Sequence, residues 1–114
     1  MDYTRKYWTD PRLEWYHVND YLEERLEKKE IEVHDNAATF SSIEHSGLGR
    51  FGDPLNPDGD IDAMKQVHCM IKPGGHFFVG GLENLPQEKG ELSFNAGRVY
   101  GTKRLELLFV GWEV

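Results

Sequence analysis

The chain has 114 residues, enough for one domain with a modest core. Its net charge is -7, which excludes nucleic acid and anionic membrane surfaces as main partners. With 39% hydrophobic and 12% aromatic residues, it is not of disordered composition.

Cys69 is the only cysteine, so no intrachain disulfide can form and nothing calls for an oxidising compartment. The first eight residues carry charge and no long apolar run, unlike a secretory signal. The longest apolar stretches, 77–82 and 107–112, fall well short of a membrane span. These features predict a cytoplasmic protein.

Asp10-Pro11 is a capping residue followed by a proline suited to the first helical position, and predicts a short helical turn through residue 16. A helix is expected over 19–29, capped by Asn19, with Tyr21, Leu22 and Leu26 on one face and Glu24 paired with Lys28. Ile31 and Val33 alternate with polar residues, and 37–43 forms a mostly apolar run with small side chains. That run reads as a parallel strand buried on both faces. Residues 47–59, rich in glycine, proline and aspartate, read as a flexible loop.

Asp60 is expected to cap a helix over 60–71 whose apolar face is Ile61, Met64, Val67 and Ile71. Lys72 complements its C-terminus and Pro73-Gly74-Gly75 stops it. Residues 76–82 read as a second buried strand, 92–94 as extended, and 98–110 as a helix capped by Asn95 with Leu105, Leu108 and Phe109 facing inward. Strands alternating with helices predict α/β architecture with a parallel sheet. The segments are an N-terminal helical piece (1–30), a strand–loop–helix–strand core (31–82), and a loop with a C-terminal helix (83–114), together one partial domain.

The residues carry several candidate chemistries. Glu44-His45 follows the first predicted strand, where doubly wound folds place ligands, and a histidine there can take a proton from an acceptor hydroxyl or amine. The competing structural role is pinning the glycine-rich loop. Gly47-Leu48-Gly49-Arg50-Phe51-Gly52 matches G-x-G-x-x-G by letter, but prolines follow instead of a helix, which argues for a loop or substrate lid. Arg50 can meet an anionic group there. Asp53, Asp58, Asp60 and Asp62 fail the EF-hand pattern, since Ala63 and Cys69 occupy its glycine and glutamate positions counted from Asp58. His45, His68, Cys69 and His76 lack zinc-ligand spacing, so no metal is expected. No G-x-S-x-G elbow accompanies Ser41, Ser42 and Ser46. Arg98 can pair with a substrate carboxylate or with Glu91, or make an ordinary surface pair.

Three features resemble the second half of class I S-adenosylmethionine-dependent methyltransferases. Asp35 stands before the strand 36–42, Ile43-Glu44-His45 follows it, and Met70-Ile71-Lys72-Pro73-Gly74-Gly75 joins helix to strand. The segment Ser41-Ser42-Ile43-Glu44-His45-Ser46-Gly47-Leu48-Gly49-Arg50, with Phe94-Asn95 and Arg98, Tyr100-Gly101 further on, is similar to an uncharacterised methyltransferase-like family over most of the chain from residue 31. The resemblance implies an incomplete Rossmann-like (class I methyltransferase) parallel sheet with flanking helices. It also implies S-adenosylmethionine as cofactor and an unknown small-molecule acceptor.

In that setting Glu44 and His45 would be catalytic, Asp2 and Ser42 would contact the cofactor, and Arg50 and Arg98 the substrate. The family's glycine-rich cofactor turn has no counterpart in residues 1–30, which contain no glycine. The alternative is therefore a non-catalytic remnant acting as an interaction module. An open sheet edge in either case predicts self-association.

Overall fold

The computed structural model describes residues 10–16 and 18–114. Contacts divide the chain into two compact units, Met1–Ile31 and Glu32–Val114.

In the first unit, Asp10 makes a single turn rather than a helix: its carbonyl accepts from the Leu13 amide at 3.0 Å, and its carboxylate holds the Arg12 amide at 2.9 Å. The helix α1 spans Val18–Glu27, so Asn19 lies within its first turn and does not cap it. Glu24 and Lys28 form the expected ion pair at 2.6 Å. Lys29 ends the helix at φ 56°, and the Glu30 amide reaches back to the Arg25 carbonyl at 2.8 Å. Tyr21 is buried, while Leu26, expected on the same inward face, is 55% exposed. Tyr21 packs edge-on to Tyr16, with the Arg25 guanidinium 5.3 Å from its ring.

The second unit is built on β1 (His34–Phe40) and β2 (Ile71–Gly80), which pair in parallel. A parallel pair needs a crossover. Here it consists of a 3-10 turn, Ile43–His45, and the helix α2, Gly59–Met70. The register runs Asn36↔His76 to Phe40↔Gly80, after an irregularity between His34 and Asn36. That irregularity takes up Pro73-Gly74-Gly75, which lie inside β2 rather than in a turn before it. Gly75 is required there, because a Cβ would fall 2.3 Å from the Asp35 carbonyl oxygen. Lys72 is accordingly a strand residue and pairs with Asp35 at 3.1 Å on the surface.

The strands are half-buried, not buried on both faces. Phe77 and Val79 pack on the core, whereas their neighbours Phe78 and Phe40 are 63% and 79% exposed. The core centres on Ile43, Met64, Tyr100 and Leu108, with Ile61, Leu105, Phe109 and Trp112 against it. Trp112 also meets Phe77 at 5.5 Å and the edge of His68 at 4.9 Å.

Beyond β2 the chain differs from the predicted helix 98–110. β3 (Glu91–Ser93) and β4 (Gly97–Val99) form an antiparallel hairpin, and the helix α3 is confined to Thr102–Leu108. Asn95 sits at φ 56° in the hairpin turn instead of capping a helix. The alternation of Arg98 and Tyr100 inward with Val99 between them is a strand pattern, and Gly101 then ends it.

Candidate functional site

The carboxyl ends of β1 and β2 lie together because the Ser41 amide donates to the Gly80 carbonyl at 2.9 Å. The chain turns sharply there. Ser41 adopts φ 47°, and a Cβ on Gly81 would lie 2.6 Å from the Ser41 nitrogen. The next residues coil into the 3-10 turn and carry Glu44 into the interior at 5% exposure.

Glu44 Oε1 accepts from Ser41 Oγ at 2.7 Å and lies 3.4 Å from His45 Nε2. Its other oxygen, Oε2, is sealed from solvent and has no hydrogen-bond partner among the described residues. The His45 ring rests over Gly97, where a Cβ would approach it to 3.1 Å, and contacts the edge of Phe51 at 5.8 Å. Its Nδ1 hydrogen-bonds the Ala96 carbonyl. A carbonyl can only accept, so Nδ1 carries the proton and Nε2 is the ring atom turned toward Glu44.

Arg98, expected at a substrate or on the surface, is 3% exposed and holds this turn from beneath. Its Nη1 donates to the carbonyls of Ser46 at 2.6 Å and Glu44 at 3.3 Å, and its Nη2 to those of Pro57 at 3.2 Å and Asn56 at 3.5 Å. The five-donor guanidinium fork suits several oxygens at fixed spacing.

The glycine-rich segment is tied down as well. The Gly47 amide donates to Asp53 at 2.6 Å and its carbonyl accepts from Asn56 at 2.8 Å. Gly47 and Gly59 cross so closely that a Cβ on Gly59 would lie 2.7 Å from the Gly47 Cα. Gly47, Gly49 and Gly52 all have positive φ, so these glycines serve turn geometry. Burial works to raise the Asp53 carboxyl, yet the surrounding amides outweigh it and hold it below its usual range.

A second polar cluster lies at the start of α2. The helix opens at Gly59, and Asp60, expected as its cap, lies inside its first turn and is fully buried. Asp60 Oδ2 accepts from Tyr100 Oη at 2.9 Å and Arg104 Nε at 3.0 Å, while Oδ1 accepts from Arg104 Nη2 at 2.7 Å. Arg98 Nε stands 3.7 Å away. Burial pushes the Asp60 carboxyl upward, but the Arg104 hydrogen bonds, the Arg98 charge and the Tyr100 hydroxyl prevail and keep it below the ordinary range. Burial, then the Asp60 charge, pushes the Tyr100 hydroxyl well above its usual value.

The structure therefore brings Ser41, Glu44, His45 and Arg98 together. Ser42 is exposed beside them and makes no side-chain capping bond. Arg50 is exposed, with its guanidinium 5.4 Å from the Phe51 ring. Asp2 lies outside the described residues. Among the described residues no cluster of histidine, cysteine and carboxylate groups is placed to hold a metal, and no helix is long and apolar enough to cross a membrane.

These elements define a small mixed α/β protein with a two-stranded parallel sheet and flanking helices. The chain belongs to the family described as "Caenorhabditis protein of unknown function, DUF268", whose model matches residues 16–114. No curated protein and no solved structure matches it.

Proposed function

We propose that this chain is the acceptor-side portion of an incomplete Rossmann-like, class I methyltransferase-type fold, acting on an unknown small-molecule acceptor with S-adenosylmethionine as methyl source. The observation that carries the reading is the parallel β1–α2–β2 unit with Glu44 and His45 at the carboxyl end of β1. Glu44 orients a donor group of the acceptor, and His45 Nε2 receives its proton.

The cofactor side fits less well. Of the residues assigned to it, the described chain offers only the exposed Ser42, and the one glycine-rich segment is closed by Asp53 and Asn56. A second reading, a non-catalytic interaction module, is favoured by the bare sheet face at Phe40 and Phe78.

Titration with S-adenosylmethionine and S-adenosylhomocysteine separates them. Saturable heat, with a rise in melting temperature, supports the methyltransferase reading. Silence at millimolar cofactor removes it and leaves the interaction module. If the cofactor binds, His45→Ala should lower kcat more than affinity, and an unchanged rate would take His45 out of the mechanism.

A further inference from the structure

Glu44 holds an orphaned oxygen in the turn after β1. A buried carboxylate offers about four acceptor positions. Those of Asp60 take two hydrogen bonds from Arg104 and one from the Tyr100 hydroxyl, with the Arg98 charge 3.7 Å away. Glu44, nearly as buried, has one serine hydroxyl and the edge of one imidazole, and Oε2 has nothing. Such an unmatched group calls for a missing donor, and a cationic donor offsets most of the burial cost.

The tip of the β3–β4 hairpin lies beside the site. Gly97 lies against the His45 ring, which a Cβ there would crowd at 3.1 Å, and a Cβ would also come within 3.9 Å of Glu44 Cγ. The hairpin itself has three residues on each strand, and its β3 strand, Phe94 and Asn95 are all exposed. A two-stranded ribbon of that length is marginal by itself. It is anchored at its base by buried Arg98, whereas its tip is held to the turn by the His45–Ala96 hydrogen bond.

We propose that the β3–β4 tip is a flap over a binding site for a small organic cation, a protonated amine that donates to Glu44 Oε2. This rests on the methyl-transfer reading only in taking that amine as the acceptor; the binding itself needs no cofactor.

The probe is ethanolamine, with ethylene glycol as its uncharged counterpart and sodium chloride as the ionic-strength control, titrated into the full chain and followed by amide NMR. Ethanolamine should give saturable shifts at Ser41, His45, Ala96 and Gly97 that neither control reproduces. Glu44→Gln should weaken binding at least tenfold. Absent or unsaturable shifts, equal shifts with ethylene glycol or salt, or unchanged affinity in Glu44→Gln each overturn the proposal. Should Glu44→Gln fail to fold, the comparison of the three solutes on the unaltered chain decides alone. Amine binding without cofactor binding keeps this site and removes methyl transfer; cofactor binding without amine binding does the reverse.

Discussion

Asp60 and Glu44 are two buried acids on either side of the same loop, and they are treated oppositely. Asp60 is enclosed by Arg104, Arg98 and Tyr100 and has a donor for each oxygen. Glu44 is left with one oxygen unmatched. The first arrangement is what a carboxylate looks like when it serves the fold, since breaking it removes the acceptor of the buried Tyr100 hydroxyl and the counter-charge beside buried Arg98. The second leaves a buried oxygen open to a donor from outside the chain, which is the basis of the proposed amine site.

The sharpest break of this contrast is Asp60→Ala. It leaves Arg98 and the Tyr100 hydroxyl buried without their acid, and should cost about 3–5 kcal/mol, enough to unfold much of a small domain. Urea denaturation followed by tryptophan fluorescence measures it, and a loss under 1 kcal/mol would place Asp60 on a par with a surface acid.

Acid should act next most strongly and through the same group. The Asp60 carboxyl is held below its ordinary range, so the folded protein stays ionised where the unfolded chain, near the usual value of about 4, has taken up a proton. The stabilisation is complete above about pH 5 and drains away as pH falls through 4 toward the native value. Asp53, also lowered, adds in the same direction. Urea midpoints that stay flat from neutral pH to pH 3 would contradict this.

Tyr100→Phe removes one hydrogen bond to Asp60 and keeps the ring in the core, so a loss of about 1–2 kcal/mol is expected from the same denaturation curves. Glu44→Gln should have the smallest effect, within about 1 kcal/mol of the unaltered chain and of either sign, because an amide can still accept from Ser41 and no charge remains in the interior. A large loss there would erase the distinction between the two acids.

The parallel crossover was legible in the sequence. The β-prone run near Ala38, the apolar spacing of Ile61, Met64 and Val67, and the second run at Phe77–Val79 announce strand, helix and strand, and β1, α2 and β2 follow them. Placement of Glu44 and His45 just after β1 was legible for the same reason. The acid cluster was not. Aspartate at a helix start reads as an exposed cap, and only the partners of Asp60, drawn from residues 40 and 44 positions later, turn it inward. Tyr100 and Arg98 were absorbed into a predicted helix because the apolar residues from Leu105 onward dominate that window. The hairpin depends on turn geometry at Asn95 and on pairing, which helical periodicity cannot report.

The Arg98 contacts also set an order of events. Its guanidinium closes loops of 54 and 52 residues at Glu44 and Ser46, and of 41 and 42 residues at Pro57 and Asn56. Links so distant along the chain form late. During synthesis β1 leaves the ribosome well before residue 98 does, so the carbonyls of the turn after β1 wait for Arg98 before its guanidinium can tie them.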